Sequence, residues 1–184
     1  MSLLDAIRRY ARYNVWATDR LLAALQALPD DKYHGHASLC FRSIHGTLNH
    51  LVLADQLWLS RFKGVDQDER ILSYWDRPDT VLYAKPDDER IYWEDNIPSR
   101  DGVADAIRIS TSAILEFVEG LPDDVNLGGP FTYKRRGAMV TKPHMGAVLM
   151  HVVNHGTHHR GQITAACTQF GLPPPSLDFI YYLQ

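Results

Sequence analysis

Two histidines four residues apart, His155 and His159, stand in the run His-Val-Val-Asn-His-Gly-Thr-His-His-Arg-Gly-Gln-Ile at residues 151–163. On a helix, an i,i+4 pair projects from one face with the imidazoles close enough to share a metal ion. A third ligand can come from another helix, and His50 in Leu-Asn-His-Leu-Val-Leu-Ala-Asp-Gln-Leu-Trp is the best candidate. Three neutral imidazoles with no carboxylate suit zinc, nickel, copper or ferrous iron. Three protein ligands also leave positions open, as in a catalytic rather than a closed structural site. Water there would be acidified, or a substrate thiolate held ready as a nucleophile.

The helix carrying the pair must turn it inward. Its apolar stripe runs through Met145, Leu149, Val152, Gly156, Ile163, Ala166 and Phe170. At about 100° per residue, His159 falls near the centre of that stripe and His155 on its shoulder, while His151 drifts roughly 40° farther out. His158 faces solvent on the same reckoning. Two unpaired imidazoles on an interior face cost several kcal/mol unless each nitrogen finds a partner, and a divalent ion supplies one to each ring. His34, His36, His45 and His144 are read as solvated or capping residues, and His151 has a stronger claim than these to a role supporting the ligands or at the rim of the site.

The remaining elements follow from periodicity. Residues 3–28 carry apolar or small residues in steps of three and four and end at Pro29-Asp30-Asp31, which predicts a long amphipathic helix. Asn14 and Thr18 interrupt its stripe, so Asn14 either bonds to a neighbouring helix or lies beside the site. Ser43 and Gly64 bracket a second helix as N-cap and stop. His50 sits off the centre of its apolar side and must look sideways to an adjacent helix. Pro78, Pro86 and Pro98 break the stretch from Gly64 to Arg100 into loops, with helical turns expected around Asp87–Asn96. A third helix is expected from Arg100 to Glu119. Residues 125–142 read as a hairpin around Lys134–Gly137, and Pro143 as the first turn of a fourth helix that stops at Gly171. An apolar tail, Leu177–Leu183, closes the chain.

The fold class expected is therefore all-α, with a small β-hairpin before the last helix. With 184 residues, one domain spanning 1–184 is the default. A formal net charge of −3 offers no basic surface for nucleic acid. No window approaches the roughly 18 apolar residues of a membrane span, and the N-terminus lacks a signal-peptide core, so a cytoplasmic location is expected. Cys40 and Cys167 form neither a CxxC nor a disulfide framework, which fits a reducing compartment. HExxH, paired ExxH, Walker, GxGxxG and GxSxG motifs are all missing.

Three segments together resemble the DinB-like family of metal-dependent proteins: Tyr13-Asn14-Val15-Trp16-Ala17, Ser43-Ile44-His45-Gly46-Thr47-Leu48-Asn49-His50-Leu51, and Asn154-His155-Gly156-Thr157-His158-His159-Arg160-Gly161-Gln162-Ile163. The resemblance covers almost the whole chain. It implies a four-helix bundle with up-down-down-up connectivity and a long crossover. It also implies one divalent metal ion held by His50, His155 and His159, zinc or nickel foremost, with iron, copper or manganese as alternatives. The related superfamily includes enzymes that use low-molecular-weight thiols, and homodimers are common in it. Arg160 belongs to the shared motif but points about 100° away from His159, toward a helix or dimer contact as readily as toward catalysis.

Two functions compete at this point. The first is a metal-dependent enzyme, a thiol S-transferase or a hydrolase, with a small-molecule substrate entering at the open positions and Arg135 and Arg136 of the hairpin available to attract an anion. The second is a non-catalytic metal-binding or stress-associated bundle whose ion only locks helices together. A ligand-binding module built on the aromatic stretch Tyr74–Trp93 is a thinner third.

Overall fold

The computed structural model describes residues 1–183 and is mostly helical, with one small two-stranded antiparallel sheet. The first helix, α1 (Leu3–Leu25), opens with a capping box: Ser2 accepts from the Asp5 N–H at 3.1 Å while Asp5 accepts from the Ser2 N–H at 2.9 Å. It stops three residues before the expected end at Leu28. The carbonyls of Leu25 and Leu28 turn instead to the guanidinium of Arg100, which satisfies the open end of the helix ahead of Pro29. A short α2 (Asp30–His34) follows.

The second long helix, α3 (Ile44–Lys63), has the expected bounds. Ser43 accepts from the Gly46 N–H at 2.9 Å, and Gly64 ends the helix in the left-handed conformation at φ 65°, where a side chain would be strained. The next connection differs from expectation. Its helical turns are α4 (Glu69–Trp75) and α5 (Asp79–Leu82), and residues 87–96 hold only turns. Asp68 starts α4 by accepting from the Arg70 N–H at 2.7 Å, and Pro78 precedes α5. Farther on, Asp88 bends the chain around Arg90, and Trp93 plunges inward, its indole donating to the Leu82 carbonyl at 2.8 Å.

Next comes α6 (Arg100–Glu119), as expected from the sequence, then β1 (Phe131–Arg135) and β2 (Ala138–Lys142). The strands pair from Phe131↔Lys142 to Arg135↔Ala138, and Arg136 and Gly137 form the tight turn at φ 49° and 78°. The last long helix, α7 (Met145–Gln169), begins two residues after Pro143, which therefore lies outside it. Its first N–H groups, on Met145 and Gly146, donate to the carbonyls of Gly129 and Leu127 rather than to a side-chain cap. A final turn, α8 (Phe179–Tyr182), lays the tail on α1, where the Tyr13 hydroxyl donates to the Leu177 carbonyl at 2.8 Å.

Among the described residues, eight helices are present rather than four, and the four long ones carry the packing. Helices α1 and α3 each pack against both α6 and α7. Leu21, Leu25, Leu48, Val52, Ile107 and Ile163 fill the contact, each burial contributing about 1.5–3 kcal/mol. A smaller cluster of Phe41, Leu53, Leu57, Ile71 and Trp93 seals the 64–99 connection onto α3. No helix among the described residues is long and apolar enough to cross a membrane.

Candidate metal centre

Helix periodicity on α3 and α7 brings His50, His155 and His159 together, with one ligand atom from each lying within 4.8 Å of the others. The Nε2 atoms converge: His155 lies 3.3 Å from His50 and 3.0 Å from His159. Nitrogens bound tetrahedrally at about 2.0–2.1 Å from one ion sit about 3.3 Å apart, so the spacing fits a shared ion. His50 does look sideways from α3, as its angular position required.

The protonation pattern supports the same reading. Gln162 turns its Oε1 to His159 Nδ1 at 2.8 Å, and an amide oxygen only accepts, so Nδ1 carries the proton and Nε2 presents a lone pair. Neutral imidazoles facing one another in this way cannot all satisfy their Nε2 atoms by mutual hydrogen bonds, whereas one cation serves the three. Burial holds all three in the neutral form, with His155 depressed to about 3, His159 to about 4 and His50 well below the ordinary histidine value. The neighbouring histidines add to the effect. Neutral imidazole is the metal-binding form.

The surroundings are apolar on one side and open on the other. Phe41 stacks on the His50 ring at 3.8 Å between centroids, and Trp75 and Trp93 meet it edge-on at 5.0 and 4.9 Å. His50 Nδ1 is buried with no hydrogen-bond partner among the described residues, so aromatic packing fixes that ring. His155 instead borders a cavity of about 690 Å³ whose walls include Trp58, Trp75, Tyr83, Tyr133 and His151. That volume lies within the range of small-molecule sites. The hairpin forms part of the wall, and Arg136 at its tip clasps the crossover by bonding Asp76 and the Trp75 carbonyl, each at 2.8 Å.

Other expected positions sort clearly. His158 is exposed, and Gln162 donates to its Nε2 at 3.2 Å. His144 is exposed and sits at the N-cap position of α7 without a side-chain capping bond to the helix. His45 is not solvated: it is 1% exposed, and its Nε2 meets the Ile97 carbonyl at 2.8 Å. Asn14 takes the helix-to-helix role, accepting from Arg160 at 2.6 Å. Arg160 is buried, bonded to Asn14 and Thr157 and turned away from the histidine cluster.

Sequence reasoning missed three groups. Asp55, five residues beyond His50 on α3 and buried, accepts from Ser110 at 2.9 Å. Burial raises its carboxyl to about 7. A lone acid inside Leu53-Ala54-Asp55-Gln56-Leu57 was a usable signal. Glu94 accepts from Ser43 at 2.5 Å and from Arg42 at 3.2 Å, tying the crossover to the start of α3. Gln162 orients His159 from one turn away, and its place in the shared motif hinted at a role.

A mostly helical protein with a three-histidine cluster able to hold a metal ion is the class this fold and site define. The model of the DinB family matches residues 1–184. Protein DinB of Bacillus subtilis (strain 168) is 31% identical over 172 residues, covering 93% of this chain and 90% of that protein. The chain belongs to the DinB family.

Proposed function

We propose that His50, His155 and His159 hold one divalent metal ion, zinc or nickel ahead of iron, copper or manganese. On this reading the protein is a metal-dependent enzyme of the thiol S-transferase or hydrolase type, acting on a small molecule. The observation that carries the reading is the cavity of about 690 Å³ that reaches His155. An ion serving only to lock α3 to α7 would need no such opening beside a ligand, which disfavours the non-catalytic alternative.

When bound, the ion would supply a Lewis acid that lowers the pKa of a water or thiol in its open positions. The chain's own residues do the rest. Gln162 sets the His159 tautomer and ring angle, and Phe41, Trp75 and Trp93 keep solvent from His50. The aromatic cavity walls bind and orient the substrate body, leaving its reactive end beside His155.

The wider reading is one domain over residues 1–184, its four long helices forming an up-down-down-up bundle. The mutual packing of α1 and α3 with α6 and α7 supports it. A homodimer and a cytoplasmic location complete it, the latter supported by two free cysteines, Cys40 and Cys167.

Elemental analysis of tag-free protein beside His155→Ala tests the centre. About one ion per chain in the wild type and almost none in the variant is expected. Equal, negligible metal in both would make the histidines structural. Turnover of thiol conjugates or esters by the metal-loaded wild type above His155→Ala then tests the enzyme, and no difference across a broad panel counts against it.

A further inference from the structure

Residues 50, 54, 57 and 61 recur in steps of four, three and four along α3, with Trp58 beside Leu57, so Arg61 shares a face with His50 three turns farther on. The rise between their Cα atoms is about 16 Å. The 690 Å³ cavity runs along this face, with Ala54, Leu57 and Trp58 between the two ends and His155 at the histidine end.

Arg61 is partly buried, yet its side chain makes no hydrogen bond or ion pair with any described residue, and its Nε is buried without a partner. Its guanidinium lies 4.7 Å over the Trp58 ring and 4.6 Å from the Tyr133 ring centre, which fixes the plane of the fork. The other arginines at this end differ. Arg136 is spent on Asp76, while Arg77 and Arg135 are exposed and free of ion pairs among the described residues. A desolvated, oriented and unpaired guanidinium in a cavity wall is a receptor for a planar oxyanion.

We infer that Arg61 anchors the carboxylate of an elongated substrate whose reactive end lies at His50, His155 and His159. This rests on the proposed reading of the cavity as the substrate site. One partly buried guanidinium, with Arg77 and Arg135 exposed and the carboxylates of Asp76 and Asp79 on the same cavity wall, matches a monoanion better than a dianionic phosphate. The aromatic rings and Leu57 require an apolar body between the two ends. Stacking alone, holding β1 to α3, would give Arg61 a structural role with no preference for anions.

The test compares 6-phenylhexanoate with its neutral amide, titrated into the protein as isolated, with Trp58 and Trp75 reporting by fluorescence quenching. The carboxylate is expected to bind about tenfold more tightly than the amide. Arg61→Met should bring the two ligands level, and Arg61→Lys, which keeps the charge without the fork, should leave a smaller preference. Equal binding of the two ligands by the wild type, or no binding of either, overturns the proposal. So does a preference that survives unchanged in Arg61→Met, since carboxylate coordination at a metal would then explain it; one unchanged in Arg61→Lys overturns the role of the planar fork. Metal content measured on the same samples separates the two readings. An Arg61-dependent preference without bound metal removes the metal reading alone, and one ion per chain without a preference removes the anchor alone.

Discussion

Arg160 donates from Nη1 to Oδ1 of Asn14 at 2.6 Å, one residue beyond His159, so the helix that carries two of the three histidines is pinned to α1 directly behind them. The bond lies in the interior, with Thr18 at 3.4 Å from the same nitrogen and the Tyr13 ring 5.6 Å from the guanidinium carbon. Burial lowers the pKa of Arg160, because the buried cation has lost solvation that the bond must replace.

Asn14→Ala is therefore expected to destabilise the protein by about 2 kcal/mol, the cost of leaving a buried cation short of an acceptor. Urea denaturation reads it as a lower midpoint at unchanged slope. Gly156→Ala should act on the same bond, because a Cβ there would stand 2.8 Å from Asn14 Oδ1 and 2.9 Å from Arg160 Nη1. The double variant should lose less than the two single losses combined, and full additivity would show that the sites are independent.

Gln162 reaches back one turn to His159 Nδ1 and touches no other candidate ligand. Gln162→Ala should leave metal stoichiometry near the wild-type value at saturation while weakening affinity about 10–100-fold. Chelator competition measures this directly. An unchanged affinity would mean that packing alone aims the His159 ring.

His45 gives the stability a pH dependence of known sign. Burial depresses its folded pKa to about 4, with His34 adding to the shift, while the unfolded chain protonates near 6.5. The unfolded state thus binds more protons between those values. The contribution is fully present above pH 6.5, is lost as pH falls toward 4, and changes no further below. Denaturation of wild type against His45→Phe across pH 4–8 should show the wild type losing up to about 3 kcal/mol relative to the variant toward acid. Parallel curves would mean His45 titrates normally.

Much of this architecture is legible in the sequence because it rests on local signals. Ser43 and Gly64 bound α3 by capping chemistry, and the spacing of His155 and His159 places both rings on one face of α7. His50 is harder, since its angular position says only that it faces a neighbour. Its sequence context made it the best candidate and the resemblance strengthened the choice, while its 3.3 Å approach to His155 shows why it fits. The crossover misleads because its order comes from distant partners: Trp93 is held by the Leu82 carbonyl, and Glu94 by Ser43 and Arg42. His45 misleads for the same reason, its partner being the carbonyl of Ile97 beyond the crossover. Asp55 pairs with Ser110 across two helices, a relation that helical periodicity does not encode.

The clasp between Arg136 and Asp76 joins the hairpin to the crossover through two exposed side chains, at 2.8 Å. Such a pair contributes only about 0–1 kcal/mol. The histidines stand on α3 and α7, while much of the chamber wall comes from these two connections. The histidine cluster and most of the chamber wall are thus written in separate stretches of the sequence. Descendants of this chain can exchange one connection for another, inheriting the same histidine cluster beneath a different chamber wall.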